Sequence, residues 1–240
     1  MKKLRLLILL VLAFLLLEGH SVYAMTTGFS TTEIDNDTRQ HIISSIALTP
    51  LDKEPKKMPV CCFDVNEDER LVLGWDTNTS GKKVIAVYQS DGSFLYGYSF
   101  YVSGSFGVQW DNENILLYSV RGNVAISIHA DGTIAEIREI EDTIENNSYW
   151  YAVNSWQRTV GTDRFLRKCS MGPLNLVAFA SSQIIKIDAA GTETMIYDVN
   201  QEYLIKVIAV TLFVVLFVAY TLITIVQTIK KGGGTPSERN

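Results

Sequence analysis

The sequence predicts a mainly β body made of about three repeats of four short strands, tethered by one C-terminal transmembrane helix. Three observations predict it. An uncharged apolar run of 23 residues lies near the C-terminus. A strand–glycine turn–strand pattern occurs three times upstream of that run, and the N-terminus has the layout of an export signal. The length of 240 residues is enough for one domain and an additional element, since a typical domain takes about 100–200.

Residues 1–24 read as a signal peptide. Lys2, Lys3 and Arg5 form a short basic start, residues 6–17 are apolar throughout, and small or compact residues precede a cut after Ala24. Twelve apolar residues make a helix of about 18 Å, too short for a hydrocarbon core of about 30 Å. An uncleaved anchor is the alternative. Residues 25–58 form an N-terminal extension in which the apolar-rich 41–48 stretch is expected to add a strand or half a repeat.

Three stretches around Gly92, Gly132 and Gly191 share one layout. Six and four residues before each glycine stand Ala86 and Tyr88, Ile126 and Ile128, Ile185 and Ile187. That is period 2, one face of a strand turned to a core. Aspartate or alanine before the glycine and serine or threonine after it make a tight turn that needs positive φ. Upstream, residues 63–73 resemble residues 108–117, each a strand, an acidic turn and a strand. In the third copy, residues 165–169 and 174–180 are expected to take those places, after an insertion from Glu141 to about Gly161. Each unit is therefore four short strands, and Gly92 to Gly132 is 40 residues, the length of a propeller blade.

On these residues the chain resembles the β-propeller repeat superfamily, in the broad sense of NHL-like and quinoprotein-like blades, across 59–200. The resemblance implies an architecture of three propeller-like blades and carries over no catalytic residue. Three blades are fewer than the four to eight of a closed ring, so the expected ring is incomplete, with edges covered by the insertion or by another chain.

The membrane span is expected at 204–229. Residues 207–229 hold no charge, and Thr211, Thr221 and Thr224 can bond back to their own helix. Asp198 and Glu202 precede the span while Lys230, Lys231 and Arg239 follow it, which predicts a cytoplasmic tail at 230–240 and a domain outside the cell membrane.

Charge excludes one class of partner. The chain carries 26 acidic and 21 basic side chains, a net charge of −5, so a nucleic-acid binder working through general basicity is ruled out. Three cysteines, Cys61, Cys62 and Cys169, allow at most one internal disulfide; small half-buried strand residues are the simpler reading, a Cys169 pairing the alternative.

Little patterned chemistry is visible. No cofactor motif is present, and His129 stands where the other repeats carry Gln89 and Asp188, as a solvent-facing strand end would. Asp76, Asn78 and Ser80 with Gly81 fit the first half of a calcium loop, but position 12 is Val87 where a bidentate acid is needed, so a polar connection is favoured. Asp64, Asn66 and Asp68 give a weaker version of the same hint. Tyr149, Trp150, Tyr151 and Trp156 lie in the insertion, where flat rings would stack on a sugar or peptide, rest at a lipid interface or cover an open sheet edge. Triplets beginning at Asn36, Asn78 and Asn146 fit the glycan acceptor pattern.

The expected function is a membrane-anchored binding, sensing or protein-interaction module, with the bilayer as one partner and a protein or glycan outside the cell as another. Oligomerisation through open blade edges belongs to the alternative, an interaction subunit of a larger membrane complex. An extracellular glycan-acting enzyme is the third reading, and it lacks an assembled acid–base pair.

Overall fold

The structure, a computed structural model, describes residues 25–77, 79–178 and 180–232. The expected signal peptide, Asn78, Phe179 and residues 233–240 lie outside the described residues.

Three antiparallel sheets and a long C-terminal helix make up the chain. The first sheet holds β3 (Cys62–Val65), β4 (Leu71–Asp76), β5 (Lys82–Tyr88) and β6 (Phe94–Tyr101) in chain order. The second holds β7 (Phe106–Asp111), β8 (Asn114–Ser119), β9 (Val124–Ile128) and β10 (Ile134–Ile140). The third holds β11 (Gln157–Val160), β12 (Asp163–Lys168), β13 (Gln183–Ile187) and β14 (Glu193–Asp198). The N-terminal extension caps two edges: β1 (Thr31–Glu33) pairs with β10, and β2 (Thr49–Pro50) with β6. Among the described residues no sheet closes on itself.

The last hairpin of each sheet turns the same way. Gln89, His129 and Asp188 each donate their N–H four residues on, to the carbonyls of Ser93, Thr133 and Thr192, at 2.9, 2.9 and 3.1 Å. Gly92, Gly132 and Gly191 sit at φ +84°, +87° and +83°, where an L side chain would be strained. The apolar pairs preceding these turns are all buried.

Packing explains why β4 and β5 read as nearly continuous apolar runs. The first sheet is covered on both faces. Val72, Ile85, Val87 and Phe100 pack against Val108, Leu117, Ile126 and Ile137 of the second sheet. Phe63, Leu73, Trp75 and Tyr88 pack against Phe165, Ile184 and Tyr197 of the third. The far face of the second sheet, with Leu116, Tyr118 and Ala125, is covered by Phe29 and by Val153 of a helix described next.

Two local expectations are corrected. The 41–48 stretch is not a strand: it belongs to helix α1 (Asn36–Ile46), started by the Asp35 carboxylate accepting from the N–H groups of Asp37 and Thr38. Ile42, Ile43 and Ile46 share one helical face and close the cluster between the first two sheets. In the third sheet the first hairpin is β11–β12, not 165–169 with 174–180. Gly172–Val177 is a 3-10 turn outside the sheet, opened by Pro173, whose fixed φ and missing N–H suit a helical start. The insertion thus holds helix α2 (Ile144–Val153) and β11 itself, and a second long connection, 169–182, runs between β12 and β13.

Helix α3 (Asn200–Gly232) follows β14 after one residue. Residues Asn200–Thr228 are long and apolar enough to cross a membrane, and this part of the helix stands clear of the β body beyond its first two turns.

Candidate functional site

The first strands of the three sheets, β3, β7 and β11, meet at one carboxylate. Asp64 on β3 accepts the backbone N–H of Trp110 on β7 at 2.8 Å and the Arg158 Nε of β11 at 2.5 Å. Arg158 also donates to the carbonyls of Val153 and Gln157, at 2.8 and 3.1 Å, and its guanidinium lies 5.4 Å from the Phe63 ring centre. Burial pushes the Asp64 carboxyl above its ordinary value, against the pull of Arg158 and the Trp110 N–H.

Above this junction opens a cleft of about 550 Å³. Its walls come from all three first hairpins: Asn66 to Asp68, then Trp110, Asn112 and Glu113, and Thr159 to Gly161. Glu69 and Asn112 hold φ +58° and +54° in two of these turns. Two cations staple the rim across sheets. Arg70 reaches Asp68 at 2.8 Å and Glu113 at 2.7 Å and lies 5.8 Å from the Trp110 ring centre. Lys186 of β13 reaches Glu69 at 2.5 Å and Asp163 at 2.8 Å. The Trp110 indole N–H is buried without a hydrogen-bond partner among the described residues. The cleft is therefore polar and of mixed charge, with most of its carboxylates tied to arginine or lysine.

The hydrogen bond from Lys186 holds the Asp163 carboxyl below its ordinary value. A carboxyl lowered by folding adds stability that is present above its unfolded value of about 3.9 and lost as pH falls through the folded one. The Lys186→Gln variant is expected to melt below the parent near neutral pH, with the gap closing as the solution is acidified. A gap that stays constant in thermal melts across the acid range would remove Asp163 from the account.

The aromatic residues expected to bind do not come together. Tyr149 and Trp150 face inward, with ring centres 4.7 and 4.8 Å from that of Phe29. The Tyr149 hydroxyl donates to Gln109 Oε1 at 3.0 Å. These two rings pack α2 and residues 25–29 onto the second sheet. Tyr151, 84% exposed, points to solvent from α2. Trp156, 60% exposed, lines a separate cleft of about 500 Å³ with Cys61, Arg167, Cys169, Asn175 and Ala178.

The calcium-like loop is also occupied by other chemistry. Asp76 is ion-paired with Lys83, its cross-strand partner in the β4–β5 ladder, so its charge is already spent in the sheet. Ser80 lies in the turn that follows, and Asn78 lies outside the described residues. Among the described residues no group of three or more His, Cys, Asp and Glu is placed to hold a metal ion. Cys61, Cys62 and Cys169 are free thiols, and burial pushes Cys61 and Cys62 upward, toward the neutral form. His129 is exposed and bonds Asn114 Oδ1 at 2.7 Å through Nδ1.

The chain matches no protein-family model and no curated protein sequence. Among solved structures it is similar to virginiamycin B lyase from Staphylococcus aureus, with 15% identity over 55% of this chain and 39% of that one, at a TM-score of 0.24. A likeness that loose decides neither fold nor activity.

Arg158, Arg70 and Lys186, three of the cations that join the sheets, belong to no motif in the sequence. The only signal toward them was the pair of acidic turns after β3 and β7, which marks the end of the body where the cleft opens.

Proposed function

We propose that the chain is a single-pass membrane-anchored interaction module, with an open three-bladed propeller-like body outside the cell and a polar cleft at its far end. The observation that carries this reading is the join between sheet and span. Asn200, the first residue of α3, accepts from Ser182 Oγ at 2.7 Å and from the Ser170 N–H at 3.2 Å, and donates to the Ser170 carbonyl at 3.1 Å. Val207, two turns further on, is still buried against the body. A hinge-free join of this kind holds a domain in a fixed pose over lipid, which suits a module that presents a surface.

The cleft belongs to the opposite end. β3 separates the two clefts: Cys61 before its start lines the one beside α3, and Asn66 after its end lines the one at the three-sheet junction. A polar cleft held away from the membrane, with a buried indole donor in its wall, supports recognition of a polar ligand or of a partner's surface loop. The charge asymmetry around the span supports the outside placement. A second reading, a subunit of a larger complex, is favoured by β14, whose outer edge has no strand partner among the described residues and whose Met195 is exposed.

Membranes from cells making the full chain test the module directly. The chain is expected to stay in the pellet after alkaline carbonate washing, and protease added to intact cells is expected to digest the β body. Release by carbonate, or a body protected in whole cells, overturns the proposal. Elution of the detergent-solubilised chain as a stable oligomer would favour the second reading.

A further inference from the structure

The three sheets differ most in the connection between their second and third strands. It runs 77–81 in the first sheet and 120–123 in the second, but 169–182 in the third, the sheet that carries α3. Residues 170–181 hold no charged side chain and include Met171, Pro173, Leu174, Leu176 and Val177. An apolar loop is ordinarily tucked against a core. This one is held outward.

Its tip is built rather than slack. Asn175 accepts the Met171 N–H at 3.0 Å and donates to the Cys169 carbonyl at 3.2 Å, and the Ala180 N–H donates to the Tyr203 hydroxyl of α3 at 3.3 Å. Leu176 is nevertheless 92% exposed and Val177 43% exposed. Val177 forms an apolar groove of about 340 Å³ with Val207, Val210 and Val214 of α3. At about 1.5 Å per residue, Val210 and Val214 stand roughly 6 and 12 Å past Lys206, the last charge before the apolar run. The loop tip therefore lies level with the first part of the span.

On its other side the same loop meets Trp156 and Arg167 across the cleft that Asn175 and Ala178 help to line. Arg167 donates to the carbonyls of Cys61 and Asn154, and it has no carboxylate partner among the described residues. An exposed tryptophan and an arginine without a carboxylate partner beside an apolar tip is the arrangement that headgroup and acyl layers favour.

We infer that the 171–178 loop is a second membrane-seated element, a wedge whose Leu176 and Val177 enter the leaflet on the domain's side while Trp156 and Arg167 rest among the headgroups. The occupant of the groove is a phospholipid acyl chain. The groove is continuous with the apolar surface of the span, so the same lipids wet both. This inference rests on the membrane anchorage proposed above.

The test places benzoylphenylalanine, one position at a time, at Leu176, at Tyr220 within the span and, as an exposed control outside the loop, at Ser93 in the turn between β5 and β6. The full chain is reconstituted in vesicles of phosphatidylcholine with radiolabelled acyl chains and irradiated. Interfacial elements seat about 5–10 Å into the headgroup–acyl boundary, so lipid adducts at 176 are expected to exceed those at 93 by about tenfold and to approach those at 220. Adducts at 220 with none at 176 overturn the wedge and leave the anchor standing. No adduct at 220 overturns the anchorage and the wedge with it. Equal adducts at 176 and 93 also overturn the wedge.

Discussion

Replacement of Asp64 by alanine is expected to destabilise the β body by about 3–5 kcal/mol, the usual result of removing one partner from a buried ion pair. Two groups lose their acceptor at once. The Trp110 N–H of β7 and the Arg158 Nε of β11 both end on this carboxylate, so the substitution loosens the second and third sheets from the first. Arg158 keeps the carbonyls of Val153 and Gln157 but no longer has an anion beside it. The raised Asp64 carboxyl shows that burial outweighs the pull of its partners. A buried pair of this kind gains little over apolar residues of similar volume, although breaking it is costly. A double replacement, Asp64→Leu with Arg158→Met, is therefore expected to unfold within about 1 kcal/mol of the parent, because it removes both desolvated charges together. Urea unfolding of the detergent-solubilised chain, followed by near-ultraviolet circular dichroism, measures the cycle. A coupling energy between the two positions below about 0.5 kcal/mol would mean that the junction does not hold the sheets together.

What the sequence displayed of this fold was whatever repeats locally. The glycine turns at 92, 132 and 191 were visible because only a positive φ suits them, and the flanking period of 2 was visible because both members of each apolar pair reach a core. The β11 strand was not visible. Gln157, Arg158, Thr159 and Val160 show no alternation, because Arg158 turns to the Asp64 junction and Thr159 to the open cleft. In helix α1 the apolar run at 41–48 suggests a strand or half a repeat, and the signal for a helix lies further upstream, in the cap at Asp35. The candidate site was the least legible part. Asp64 and Arg158 are 94 residues apart, and a pair at that separation leaves no local trace. Asp64 entered the sequence reading only as a weak calcium hint, while Tyr149 and Trp150 looked like a binding surface because four aromatic residues close together resemble one. Half of that set is the packing between α2 and the second sheet.

Asn146 carries the same lesson to a larger structural consequence. Its triplet fits the glycan acceptor pattern, yet the side chain is 2% exposed and uses every atom it has. Oδ1 accepts the Ser30 N–H at 2.8 Å, and Nδ2 donates to the carbonyls of Ser30 at 2.9 Å and Glu141 at 2.7 Å. One amide thereby ties the N-terminal segment to the start of α2 and to the end of the second sheet. Asn146→Ala is expected to cost about 2–4 kcal/mol, since several backbone groups lose their partner together. Asn146→Asp is the sharper variant. It keeps the shape and the acceptor for Ser30, but sets an anion against two carbonyl oxygens, so it is expected to be no more stable than the alanine variant. Hydrogen exchange at residues 29–33 should accelerate in both, because β1 is held to β10 beside this contact. A glycan on Asn146 and the native packing exclude each other for the same reason. Wild-type exchange rates at residues 29–33 in the Asn146→Asp chain would show that the segment is held by β1–β10 pairing alone.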